Sequence, residues 1–152
     1  MEISGVVYYF YTTHSTNNFI NNILACISTL FVLNIDLNNV EKNFIDFKIP
    51  SGRGDIKIIK KFKKTFKFID ESYNANPLSM KSAIQNMNYY QTKNNAQKLV
   101  FLSDMLELGK KSKKLHKKLS NEINKSDIDK VFVYGKHIKE TFDSLNTNKK
   151  GK

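Results

Sequence analysis

The residues with the clearest chemical potential follow an apolar run, in the order Ile69-Asp70-Glu71-Ser72-Tyr73-Asn74-Ala75-Asn76-Pro77-Leu78-Ser79-Met80. Paired carboxylates at a strand end can accept hydrogen bonds from ribose hydroxyls or hold a metal-bound water. Asn74 and Asn76 each offer both donors and acceptors to the edge of a base. Pro77 suits the first position of a helix, whose opening N–H groups can face an anion. A plainer alternative stands beside this one, in which Asn76 only caps the helix while Asp70 and Glu71 are solvated. Two further loops follow apolar strands: Asp104 to Gly109, and the segment after Gly135. His116 is a lone histidine on a lysine-rich helix, where a structural role is the simpler reading.

These loops need elements to position them. Residues 5–12 are aromatic and β-branched and read as a strand. A helix from about Asn18 to Leu33 carries Phe19, Ile23, Cys26, Ile27 and Leu30 at helical spacing, and reads as buried. Asp36 suits the N-cap of a short helix with Leu37, Val40, Phe44 and Ile45. Pro50-Ser51-Gly52-Arg53-Gly54 is the clearest break, so the chain is expected to divide there into residues 1–50 and 51–152. Beyond it, Asp55–Lys60 and Thr65–Asp70 alternate as a hairpin around a lysine turn. A helix from Pro77 to about Tyr90, a short buried strand over Lys98–Ser103, and a helix over 111–125 with Leu115, Leu119 and Ile123 follow. Lys130–Tyr134 is a further apolar strand, His137 to Leu145 a last helix, and Asn146 to Lys152 a polar tail. Apolar strands alternating with helices imply an α/β fold with a mainly parallel sheet covered on both faces. In such sheets the ligand crevice lies beyond the carboxyl ends of the strands, where the three loops fall.

Composition narrows the classes. The net charge of +11 invites a nucleic-acid partner, but Arg53 is the sole arginine among 25 basic residues. Arginine is the usual reader of guanine edges and phosphates, so a non-catalytic basic nucleotide- or nucleic-acid-binding module is the weaker alternative and no nucleic-acid partner is expected. The lysine runs 60–64 and 110–114 read as solvated faces. No stretch approaches the ~18 consecutive apolar residues of a membrane span, so no membrane insertion is expected. Cys26 has no partner cysteine, which fits a reducing cytoplasm and a buried, inert thiol.

Four ordered motifs carry a resemblance. Asn22-Ile23-Leu24-Ala25, Gly52-Arg53-Gly54, the Asp70–Met80 segment, and Leu102-Ser103-Asp104-Met105-Leu106-Glu107-Leu108-Gly109 followed by His116 are similar in order and spacing to the MurF-type Mur ligases. These are the UDP-N-acetylmuramoyl-tripeptide–D-alanyl-D-alanine ligases. The resemblance implies the end of a central ATP-binding domain over 1–50, then a Rossmann-like carboxy-terminal domain over 51–152. It implies a peptidoglycan-precursor ligase that works through an acyl phosphate, with ATP, UDP-N-acetylmuramoyl-tripeptide and D-alanyl-D-alanine as partners, in the cytoplasm and as a monomer.

Residue by residue, the resemblance makes Asn22 the asparagine that meets the adenine and Arg53 the hinge arginine that reaches the ATP phosphates. Glu71, with Asp70 beside it, takes the ribose position, while Asn74, Asn76 and Pro77 line the nucleotide side. Asp104, Met105, Glu107 and Leu108 belong to the loop facing the incoming dipeptide. The sequence departs from the family where His-Asn falls on Asn18-Phe19, with His14 too far upstream to substitute, and where Ser103 replaces glycine. It contains no Gly-x-x-x-x-Gly-Lys-Ser/Thr loop for ATP phosphates. The chain is therefore expected to be an incomplete, inactive part of the ligase, with the Mg2+ ligands in the missing central region. Another Mur-type ligase or a folylpolyglutamate ligase is the alternative within the enzyme class. The loop Tyr73-Asn74-Ala75-Asn76-Pro77 favours the D-alanyl-D-alanine-adding type.

Overall fold

The computed structural model describes residues 1–12, 17–40, 42–45, 47–92 and 96–151, without the side chains of Asn17 and Asn18. His14 and the Asn18 side chain lie outside the described residues. The chain divides into two compact units, Met1–Pro50 and Ser51–Lys152.

The first unit opens with a small antiparallel ribbon, β1 (Glu2–Ile3) and β2 (Val6–Val7). The strand expected over 5–12 is shorter than its composition suggested. Ser4 and Gly5 turn at positive φ, and beyond Val7 only Tyr8 continues the pairing, exchanging bonds with Met1. Tyr8, Phe10 and Phe44 then form a ring cluster in place of a ladder. Helix α1 spans Asn17–Val32. Of its apolar positions Ile27 is buried, while Ile20, Leu24, Phe31 and Val32 face solvent. The expectation of a buried helix is corrected accordingly, and Cys26 is exposed rather than an enclosed thiol. After Asp36 the described residues form a 3-10 turn, Leu37–Val40, and the Asp36 carboxylate accepts the Asn38 N–H as the expected N-cap.

The second unit begins with an antiparallel hairpin, β3 (Asp55–Lys61) and β4 (Lys64–Asp70), paired from Asp55↔Asp70 to Lys61↔Lys64. Its turn residues, Phe62 and Lys63, both sit at positive φ, the backbone that matches strand twist in a two-residue turn. Then follow α2 (Pro77–Met87), β5 (Leu99–Ser103), α3 (Ser112–Lys125), β6 (Lys130–Tyr134) and α4 (Lys139–Asp143). Strand β5 pairs with β6 in parallel, Leu99↔Lys130 through Ser103↔Tyr134, across the α3 crossover. The fold is α/β with a parallel sheet. Among the described residues that sheet has two strands, and the β3–β4 ribbon forms a sheet of its own.

The core lies on one side of this sheet. Met80 and Ile84 of α2, Leu119 and Ile123 of α3, Val131 of β6, and Met105, Ile128, Ile138 and Leu145 from the connections pack together, with Val100, Leu102 and Val133 against them. The opposite face carries Leu99, Phe101, Phe132 and Tyr134. Phe101 is 74% exposed and Tyr134 87%, and the Phe101 and Phe132 rings stack with centroids 5.0 Å apart. The expected sheet covered on both faces is thus corrected to one covered on a single face, because α2, α3 and α4 all pack on the same core. The expected polar tail is also corrected. It forms a 3-10 turn, Thr147–Lys149, a parallel bridge from Lys150 to Val131, and a close contact of Gly151 with the Phe132 ring.

Candidate functional site

The break at Pro50–Gly54 folds into a turn bound to the loop after β4. Gly52 donates to the Asp55 carboxylate (2.8 Å), Gly54 donates to the Asp70 carbonyl (2.7 Å), and Tyr73 donates to the Gly52 carbonyl (3.0 Å). Gly52 sits at φ +79, and a Cβ there would stand 2.9 Å from the Tyr73 nitrogen, so the close approach needs glycine. Arg53 is exposed at the crest of this turn. Its guanidinium carbon lies 3.9 Å from the centre of the Tyr73 ring. That stacking limits the orientations of the group while leaving its donors free for an anion.

Carboxylates gather beneath the turn. The Asp55 carboxyl is held below its ordinary value by the Gly52 N–H and then by Lys57. Glu71 is pushed the other way, first by desolvation and then by the charges of Asp70 and Asp55. Burial and then Glu71 raise the Tyr90 phenol, and the Lys67 ammonium lies over the Tyr90 ring. Asp70 uses Oδ1 within its own loop, accepting from the Ser72 N–H and hydroxyl.

Asn76 forms a capping box. Its Oδ1 accepts from the N–H groups of Leu78 (3.0 Å) and Ser79 (2.9 Å), while its own N–H donates to the Ser79 hydroxyl. Met80 donates to the Asn76 carbonyl, and Pro77 has no N–H. The expected free N–H groups at this helix start are therefore corrected: the first turn is satisfied internally. Of the Asn76 side chain, the amide nitrogen remains available. Asn74 is exposed in the same loop.

The loop after β5 is built differently. Both Asp104 oxygens accept backbone N–H groups from beyond β6: Lys136 (3.0 Å), His137 (2.9 Å) and Ile138 (2.7 Å). Burial works against its charge, but the N–H groups of Ile138, Lys136 and His137 outweigh it and hold the carboxyl below its ordinary value. Met105 turns inward and is fully enclosed in the core, which corrects its expected place on the substrate side. Its N–H donates to Nε2 of His116 (2.9 Å). Leu106 and Glu107 form the exposed tip, with Glu107 at φ +60, and Leu108 packs back onto the core.

Two groupings result within the second unit. One joins Arg53, Asp70 and Glu71 with Asn74, Asn76 and Pro77 alongside; the other joins Asp104 to Leu108 with residues 135–138. Asn22 belongs to the first unit, exposed on α1. Tyr73 as a platform for Arg53 and Tyr90 as a neighbour of Glu71 were not anticipated, and no local sequence signal marks either contact. Among the described residues no group of three or more His, Cys, Asp or Glu side chains is arranged to hold a metal ion.

A parallel α/β unit with its loops gathered beyond the strand ends matches an established class. The sequence profile described as "Mur ligase, glutamate ligase domain" covers residues 56–150, and the chain belongs to that family, whose members are ATP-dependent ligases. It is 30% identical over 128 residues to the UDP-N-acetylmuramoyl-tripeptide–D-alanyl-D-alanine ligase of Rickettsia prowazekii, covering 84% of this chain and 27% of the relative. It is 36% identical over 124 residues to the ligase of the same name from Buchnera aphidicola subsp. Baizongia pistaciae, covering 80% and 25%. The chain thus spans about a quarter of the length of these curated relatives. In fold it is similar to MurF from Acinetobacter baumannii, with a TM-score of 0.75 at 23% identity over 93% of this chain and 29% of that one. It is also similar to MurF from Thermotoga maritima in complex with ADP, with a TM-score of 0.66 at 21% identity over 91% and 30%.

Proposed function

We propose that this chain is the carboxy-terminal, nucleotide-facing part of an ATP-dependent ligase that joins D-alanyl-D-alanine to UDP-N-acetylmuramoyl-tripeptide. The observation that carries the reading is the Gly52-Arg53-Gly54 turn, bound at three points to residues 55–73 where the matched Mur ligase domain begins. It keeps one exposed guanidinium on the Tyr73 ring, in a turn whose Gly54 binds the Asp70 carbonyl.

In this reading Arg53 faces the ATP phosphates and supplies positive charge where negative charge develops during phosphoryl transfer. Such chemistry depends mainly on positioning and charge neutralisation. Glu71, with Asp70, accepts the ribose hydroxyls. Desolvation and the neighbouring carboxylates disfavour the Glu71 charge, so donors arriving on a ribose would relieve that penalty. Asn74 and the free amide of Asn76 face the nucleotide, Asn22 meets the adenine, and the Leu106–Leu108 tip faces the dipeptide. Asp104 supports that tip through its three backbone bonds. Mg2+ would be held elsewhere in the full ligase. The reading also makes the enzyme a cytoplasmic monomer. No helix among the described residues is long and apolar enough to cross a membrane.

The test exchanges residues 51–152 into a relative's ligase in place of its matching segment. Phosphate release requiring both tripeptide and D-alanyl-D-alanine is expected, with Arg53→Ala lowering kcat about 100-fold or more. A folded chimaera that releases no phosphate overturns the ligase reading, while an Arg53→Ala chimaera as fast as its parent overturns the role of Arg53.

A further inference from the structure

We infer that His116 is the positioning residue of the Asp104–Gly109 loop, holding it through the N–H of Met105. The inference rests on the reading that this loop faces the dipeptide.

His116 is 0% exposed, on the core side of α3. A buried imidazole is costly unless its nitrogens are bonded, and leucine would fill the same space without that requirement. Both nitrogens here have work that leucine could not do. Strand β5 ends at Ser103, so Met105 gains no acceptor from the sheet ladder although its residue is enclosed. Nε2 of His116 is that acceptor, at 2.9 Å. A backbone N–H can only donate, so Nε2 must carry the lone pair. The ring proton therefore sits on Nδ1, 2.8 Å from the Ser112 carbonyl that receives it. The His116 carbonyl in turn accepts the buried Thr141 hydroxyl at 2.6 Å, tying α3 to α4.

This bond completes the anchoring of the loop. Asp104 fixes its first residue to the segment beyond β6, His116 fixes its second to α3, and Leu108 fixes its far side to the core. The freedom left is confined to Leu106 and Glu107, the only loop side chains offered outward before Gly109. His116 thus sets the place of the tip without touching anything the tip would touch.

The test uses nuclear magnetic resonance on the full 152-residue chain. Long-range nitrogen–proton spectra are expected to show His116 protonated on Nδ1 and bare on Nε2. Met105 is expected to exchange its amide proton far more slowly than Leu106 and Glu107. In His116→Leu, Met105 exchange should rise about tenfold or more while Ile123 and Val131 keep their protection, because one buried bond is lost. In His116→Gln, whose side-chain oxygen reaches the Nε2 position, Met105 protection should return. The opposite tautomer overturns the assignment, as does unchanged Met105 exchange in His116→Leu. Equal loss of protection at Met105, Ile123 and Val131 in both variants also overturns it, since that marks a purely structural core residue. None of these measurements requires turnover, so an inactive chimaera would count against the ligase reading alone.

Discussion

A Cβ placed on Gly135 would stand 2.5 Å from Oδ1 of Asp104, so the glycine that ends β6 and the carboxylate that ends β5 are fitted to one another. Gly135 also sits at φ +141, a backbone state that L side chains rarely adopt. The backbone and the contact therefore exclude a side chain for separate reasons. Gly135→Ala is expected to destabilise the chain by about 3 kcal/mol. Chemical denaturation measures it, and a change below about 0.5 kcal/mol, the range of ordinary surface substitutions, would show that the two loops are not coupled in this way.

The same carboxylate makes an acid-dependent prediction. Asp104 has its pKa lowered in the folded chain, so its contribution is complete above the ordinary aspartate range and disappears as pH falls through the folded value. Asp104→Asn keeps the shape but removes the charge and faces an amide N–H toward a backbone N–H. It should cost about 2 kcal/mol at neutral pH. Wild type and variant should converge in stability as pH falls through the lowered folded value, below the ordinary aspartate range. A gap that stays constant into acid would show that charge is not what holds residues 136–138.

These two contacts mark where sequence reasoning reached and where it stopped. Asn76-Pro77 announced the start of α2 because capping is local: the Asn76 acceptor and Ser79 are three residues apart. Leu115, Leu119 and Ile123 announced α3 through their period alone. Asp104 and Gly135 follow the ends of different strands, and nothing within a short window shows that they meet. The apolar run Leu99–Ser103 signals a strand but not how many of its faces are covered, which is why Phe101 was expected inside. Cys26 follows the same logic on α1. His116 was visible only as a lone histidine on a lysine-rich helix with a structural role, and its partner, the Met105 N–H, is a backbone group that no residue type reveals.

Glu71 should give the opposite pH response to Asp104. Its folded pKa is raised, so stability is full below the ordinary glutamate range and declines as pH rises through the folded value. Glu71→Gln removes the charge that desolvation, Asp70 and Asp55 oppose. The variant is expected to match wild type near pH 4 and to exceed it in denaturation midpoint at pH 7. A variant less stable than wild type at pH 7 would mean that Glu71 is compensated in a way its neighbours do not reveal. A gain in the variant at pH 7 is instead the behaviour expected of a carboxylate placed for a ligand rather than for stability.

Lys149 separates a structural lysine from the solvated ones that dominate this chain. It is 8% exposed, and its ammonium donates at 2.8 Å to the carbonyls of both Ser126 and Ile128, immediately beyond α3. Carbonyls enclosed in this turn cost stability when left without a donor, and one ammonium satisfies both. The bridge from Lys150 to Val131 and the Gly151 bond to the Val131 carbonyl hold the same segment beside β6. Lys149→Met keeps the length and the apolar stem but leaves two carbonyls without donors, and should cost about 2–3 kcal/mol. Lys118→Met, on the exposed side of α3, should change stability by no more than about 0.5 kcal/mol. Equal effects from the two substitutions would return the 146–151 segment to the status of a solvated tail. A large difference shows that the last residues stabilise the β6 edge, and that the charge of this lysine acts in packing rather than in solubility.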